Sequence, residues 1–111
     1  IEICQLSDDL AYKVYKAKKD FPRDELYGIT SQIRRACLSI PTNIVEGYSR
    51  KGDKELSRFV GISLGSLAET KYLLHFSRRL EYIDKEVYQS LKDGYGTLGK
   101  KLWRFYKALN K

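Results

Sequence analysis

The chain has 111 residues, 42% hydrophobic and 32% charged, a balance that excludes disordered and fibrous classes and suits one domain over residues 1–111. Lysine and arginine total 21 against 14 acidic residues, a net charge of +7 that directs attention to anionic partners, nucleic acid before acidic protein. No apolar run approaches the roughly 20 residues of a membrane span, and Cys4 and Cys37 make no disulfide framework, so a reduced, cytoplasmic setting without a membrane partner is expected.

Leu6, Leu10, Val14, Ala17 and Phe21 recur at spacings of four and three and predict a first helix, capped by Ser7 or Asp8 and stopped by Pro22. A second is expected from Asp24 and Glu25, whose charge suits a helix N-terminus, to about Arg50. Its apolar stripe is Leu26, Ile29, Ile33, Cys37, Ile40, Ile44 and Gly47. Pro41 lies inside it and removes a donor, at about 3 kcal/mol in an uninterrupted helix. The helix either ends near Ser39 and restarts, or passes through with a kink; the unbroken phase of the stripe favours passage.

Gly52 and Asp53 supply a turn and a cap for a third helix, which runs to about Glu81 on Leu56, Val60, Ser63, Leu67, Thr70, Leu74 and Ser77. Asp84 caps a fourth, with Val87, Leu91, Leu98, Leu102, Phe105 and Leu109 as its stripe. Gly94, Gly96 and Gly99 within it mark close packing or a bend. No segment alternates with period two for long enough to form a strand. Short connections between four helices predict an all-α, antiparallel up-and-down four-helix bundle, with a middle pair each about 40 Å long.

Two helices carry more than one core stripe requires. Gly28, Gln32, Arg35, Ser39, Asn43 and Glu46 form a second row on helix two that is small or amide-bearing, where a solvated face reads Lys and Glu. Phe59, Ile62, Ser66, Glu69, Leu73, Phe76 and Leu80 give helix three a second face. A helix apolar on two sides is buried on two sides, so a homo-oligomer is expected. Gln32, Arg35, Ser39, Asn43 and Glu46 of one subunit are expected to meet Ser66 and Glu69 of the next, with Arg35 and Glu69 setting the register.

The stretch FPRDELYGITSQIRRACLSIPTNIVEGYSR, with FVGISLGSLAET after it, resembles the 23S rRNA intervening-sequence proteins over about Leu6 to Leu109. The shared pattern falls on Phe21 and Pro22, Glu25, Tyr27 and Gly28, Ser31 to Ala36, Ser39 to Pro41, Asn43 to Gly47, then Gly65, Ser66 and Glu69. Val45 stands where alanine is usual. The resemblance implies an up-and-down bundle that forms a cyclic pentamer. It also implies kinship with the accessory variability determinant of diversity-generating retroelements, which binds nucleic acid and a reverse transcriptase.

Chemistry is sparse. His75 is the single histidine and reads as a partly exposed structural residue; no metal-ligand spacing, phosphate loop or nucleophile motif accompanies it, so no enzyme, metal or cofactor is expected. The charge is informative by position. The connection between helices two and three brings Arg50, Lys51, Lys54 and Arg58 to the end that holds Lys100, Lys101, Arg104 and Lys107, and no acidic residue follows Asp93. Basic residues at a helix C-terminus complement its dipole, which accounts for part of the run. The remainder, repeated around a ring, makes a basic annulus for phosphate backbones of RNA or DNA, with Tyr95, Trp103 and Tyr106 available to stack on bases or to pack internally. The alternative is an adaptor whose basic surface meets an acidic protein or a nucleic-acid enzyme such as a reverse transcriptase.

Overall fold

The computed structural model describes residues 2–111. Four helices follow in order, α1 (Glu2–Ala17), α2 (Ile29–Ser49), α3 (Asp53–Arg79) and α4 (Lys85–Leu109), with two single 3₁₀ turns, Lys18–Asp20 and Arg23–Glu25, between the first two. The packed pairs are α2 with α3, α3 with α4, α1 with α2 and α1 with α4, which closes an antiparallel bundle 43 × 25 × 18 Å in extent. The described residues contain no strand.

Periodicity places α3 well. Every residue of its expected stripe, from Leu56 to Ser77, is buried, as is the α2 stripe from Ile29 to Gly47. The start of α1 differs from expectation, because Ser7 and Asp8 do not cap it. The helix begins at Glu2, Ile3 is buried, and Ser7 lies in the core with its hydroxyl donating to the Cys4 carbonyl at 3.0 Å. Burial of Ile3, Ser7, Leu10, Ala11 and Val14 on one face outweighs a cap signal worth about 1 kcal/mol.

The second helix also begins later than expected, at Ile29, which leaves Leu26 exposed in the connection. Its 21 residues span about 32 Å rather than 40 Å at about 1.5 Å per residue, whereas the 27 residues of α3 reach the expected length. Glu25 still serves the α2 N-terminus. Its Oε1 accepts from the Ile29 amide at 3.3 Å, and its Oε2 accepts from the Tyr82 hydroxyl at 2.8 Å. A Cβ on Gly28 would lie 2.5 Å from that same Oε1, so the glycine leaves room for the carboxylate. Phe21 is buried beneath, 5.3 Å from the Tyr82 ring. Phe21, Glu25 and Gly28 thus clasp the first connection to the third.

The chain passes through Pro41 within one continuous helix. Pro41 deprives the Cys37 carbonyl of its usual donor. The next three carbonyls each gain a side-chain donor: Thr42 Oγ1 on Leu38 at 2.6 Å, Asn43 Nδ2 on Ser39 at 2.8 Å, and Ser63 Oγ, from α3, on Ile40 at 2.8 Å. Short polar residues around the proline therefore support the turn it weakens.

Close packing explains some glycines and not others. A Cβ at Gly47 would stand 2.9 Å from Leu56 Cδ1 and 3.0 Å from Phe59 Cβ, so α2 and α3 approach there to a distance only glycine allows. Gly94 does the same for α4 against Leu10 of α1, whereas a Cβ at Gly96 would meet nothing. Asp84 caps α4 as expected, accepting from the Val87 amide at 2.9 Å. Leu91, Leu98 and Leu102 are fully buried, Val87 is exposed, and Tyr95 joins the core in its place.

Candidate nucleic-acid interface

One end of the bundle gathers the C-termini of α2 and α4 with the N-termini of α1 and α3. Tyr48 of α2 stacks on Phe105 of α4 at 6.1 Å. Asn110 donates to Ser57 Oγ of α3 and to the Tyr106 carbonyl, each at 2.7 Å, and Lys101 reaches Glu2 at 3.1 Å. Gly52, at φ 86°, turns the chain from α2 into α3. These contacts carry Arg50, Lys51, Lys54, Arg58, Lys101, Arg104 and Lys107 to this end, whereas Lys100 lies nearer the middle of the bundle, beside the level where Gly99 meets Leu67 of α3.

Their environments then divide them. Arg50 pairs with Glu46 at 3.1 Å, Arg58 with Glu55 at 3.3 Å, and Lys101 with Glu2. Both arginines also lie over one ring, the Arg50 guanidinium 5.4 Å and that of Arg58 4.5 Å from the Phe59 centroid. The Arg58 hydrogen bonds hold the Glu55 carboxyl below its usual range, so that pair stays ionised. Lys51, Lys54, Lys100, Arg104 and Lys107 are exposed and have no ion-pair partner among the described residues. Lys100, Arg104 and Lys107 share one stripe of α4 by their spacing of four and three.

Two shallow clefts flank that stripe. One, of about 370 Å³, lies between α1, α2 and α4 against Lys101, Arg104, Tyr48 and Phe105. The other, of about 410 Å³, lies between α3 and α4 and collects Lys71, Lys92 and Lys100 around Gly96 and Thr97, with Asp93 at its edge. Sequence patterns alone do not join these three lysines. The i, i+4, i+8 run Lys92, Gly96, Lys100 is a signal for two of them, but Lys71 enters only through the α3–α4 packing.

The three aromatic candidates also separate. Tyr95 is wholly buried, its hydroxyl without a partner and its pKa raised by burial, so it is a core residue and cannot stack on a base. Trp103 is 51% exposed and stacks on Tyr106 at 5.7 Å.

The expected subunit-contact row is partly engaged within the chain. Ser66 Oγ donates to Ser39 Oγ at 2.7 Å, Asn43 bonds the same hydroxyl at 2.9 Å, and Glu46 holds Arg50. The Ser39–Ser66 bond brings Arg35 and Glu69 of one chain to about the same level, both exposed and not ion-paired with each other; Gln32 is exposed beside them. His75 is exposed against Tyr72 at 6.3 Å. Cys37 is sealed in the core, where burial pushes its thiol up to about 11. No helix among the described residues is long and apolar enough to cross a membrane.

Fold and surface together define a small helical bundle with one cationic end. The chain belongs to the 23S rRNA-intervening sequence protein family, whose model matches residues 1–104. It is similar in structure to a protein of unknown function from the S23 ribosomal protein family of Bacteroides thetaiotaomicron VPI-5482, solved at 1.70 Å. The TM-score is 0.87 at 25% identity, over 95% of this chain and 98% of that one. No curated protein matches it.

Proposed function

We propose that this protein is a non-enzymatic, self-associating helical scaffold that binds RNA or DNA through phosphate contacts at its cationic end. The observation that carries the reading is the set of exposed, unpaired cations, Lys51 and Lys54 on one connection and Lys100, Arg104 and Lys107 on α4. Cations already paired to carboxylates gain little from a phosphate, whereas these release condensed counterions when they meet one. Self-association, a pentamer by the family resemblance, is supported by exposed apolar groups on the connection before α2 and on α2 and α3: Leu26, Tyr27, Leu38, Val45 and Ile62. A ring would repeat the cationic end and multiply its contacts.

Exchanging Lys100, Arg104 and Lys107 for glutamate should abolish retention of RNA and DNA while leaving the helical circular-dichroism signal intact. Binding by the unaltered protein should fall steeply with salt. Retention by the triple variant, or affinity indifferent to salt, would refute the reading. A protein adaptor is favoured by a different feature, the groove of about 610 Å³ between α1 and α4, whose apolar floor of Tyr12, Ala17, Val87 and Leu91 is edged by Lys13 and Lys16 together with Asp20 and Glu86. That reading predicts a protein partner that survives nuclease treatment and is lost on Lys13→Glu with Lys16→Glu.

A further inference from the structure

We infer that the nucleic acid held at this end is single-stranded and that Trp103 is the platform on which one of its bases stacks; this rests on the nucleic-acid reading above. Trp103 is the chain's one tryptophan, and it is 51% exposed. An indole left half in water forgoes a large apolar gain. It is also held from behind. Tyr106 stacks on it at 5.7 Å with planes 25° apart, and Tyr106 in turn packs toward Gly61 of α3, where an added Cβ would stand 3.5 Å from its Cε1. The ring therefore lies against a packed backing.

Its neighbours supply the phosphate contacts. Lys100 and Lys107 lie three residues before and four after it, so they flank the indole along the helix at about 5–6 Å, and neither has a carboxylate partner. The lane continues from Lys100 into the cleft with Lys71 and Lys92, whose floor at Gly96 is bare: a Cβ there would meet nothing. On the facing helix, contacts of Gly61 with Tyr106 and of Gly99 with Leu67 put Trp103 near the level of Gly65, which is equally open. A line of cations interrupted by one backed aromatic matches a strand whose bases are free to leave their own stack. A duplex offers no base face to such a ring, and phosphate contacts alone have no use for it.

The single tryptophan reports on itself. The full chain is titrated with an oligothymidylate of about 12 nucleotides, within the usual site sizes of single-strand binders, and with a duplex of equal length, while indole emission is followed. Quenching by the single strand and not by the duplex is expected. Trp103→Ala should weaken single-strand binding about ten- to a hundredfold, leave duplex binding within about twofold, and keep the helical signal; Trp103→Phe should retain most of the affinity. Binding of both forms with equal affinity and unchanged emission would overturn this inference while leaving the nucleic-acid reading in place. Absence of binding by either form would overturn both. A fall in sedimenting mass for Trp103→Ala, with emission indifferent to the oligonucleotide, would show the indole to be a subunit contact and overturn the inference as well.

Discussion

Replacing glycine with alanine inside a helix ordinarily stabilises it by about 1 kcal/mol, so the glycines of this bundle give a test in which the structure sets the sign. At Gly47 the new Cβ would sit 2.9 Å from Leu56 Cδ1 and 3.0 Å from Phe59 Cβ, against an ordinary contact of 3.4 Å or more. The leucine methyl can swing aside. The phenylalanine Cβ is tied to the α3 backbone, so the two helices must separate, and overpacking of this kind costs about 1–3 kcal/mol. Set against the propensity gain, Gly47→Ala should lose about 1 kcal/mol. At Gly65 and Gly96 the Cβ meets nothing, and the same substitution should gain about 0.5–1 kcal/mol. On a chain of this size each kcal/mol moves the melting temperature by about 4 °C. Urea denaturation followed by circular dichroism should order the variants Gly65→Ala and Gly96→Ala, then the parent, then Gly47→Ala, at one m-value. A Gly47→Ala protein as stable as Gly65→Ala would refute the claimed α2–α3 approach.

Tyr95→Phe removes a buried hydroxyl without a partner and should raise stability by about 1 kcal/mol in urea; a loss of that size would mean the hydroxyl is bonded after all. Burial raises the Cys37 thiol from 9.0 to about 11, and a raised acid stabilises the fold below its unfolded pKa and ceases to do so as pH climbs toward the folded one. The Cys37 contribution to stability should therefore be flat below about pH 9 and fall by about 1 kcal/mol per unit up to about pH 11. A Cys37→Ser variant should show a shallower slope over that window, and identical slopes would refute the assignment. Arg35→Ala should sediment as a smaller species, with exchange of the charges at Arg35 and Glu69 restoring the assembly at least in part. Stranding one partner of a desolvated pair costs about 3–5 kcal/mol, so an unchanged mass at micromolar concentration would make this row a solvated face.

What could be read in advance followed from how local each signal is. The α3 stripe, the passage of α2 through Pro41 and the Asp84 cap depend on residues within one or two turns, and these matched the structure. The start of α1 depends on what Ile3 packs against, and no cap residue near Ser7 can report that. Glu25 was legible as charge near a helix start, but its second partner, Tyr82, lies 57 positions away. At the candidate site the charges were legible and their pairing only partly so. Glu46 with Arg50 and Glu55 with Arg58 stand at spacings of four and three, which invite pairing, whereas Lys101 with Glu2 spans 99 positions and appears only once α1 and α4 lie side by side. The partner of Ser39 was expected on another subunit, and a bond to Ser66 of its own chain occupies it instead.

The division among the cations carries its own consequence. Arg50 and Arg58 bracket the Phe59 ring, and each is tied to a carboxylate, so both act as anchors for the α2–α3 turn. Lys51 and Lys54, carried by that turn, are left free. Guanidinium groups suit the first task because they are planar and weakly hydrated, and ammonium groups on flexible stems suit contact with a mobile phosphate. Each cation–π contact at an exposed site contributes about 0.5–1 kcal/mol, so Arg50→Ala with Arg58→Ala should lower stability by about 1–2 kcal/mol. The same double variant should leave the salt dependence of nucleic-acid binding nearly unchanged. Lys51→Ala with Lys54→Ala should do the reverse, sparing stability while reducing the slope of log affinity against log salt by about 0.7–0.9 for each phosphate that is no longer neutralised. A slope reduced by about 1.5 in the arginine variant would mean that the arginines themselves reach phosphate, and that the pairs with Glu46 and Glu55 open when nucleic acid arrives.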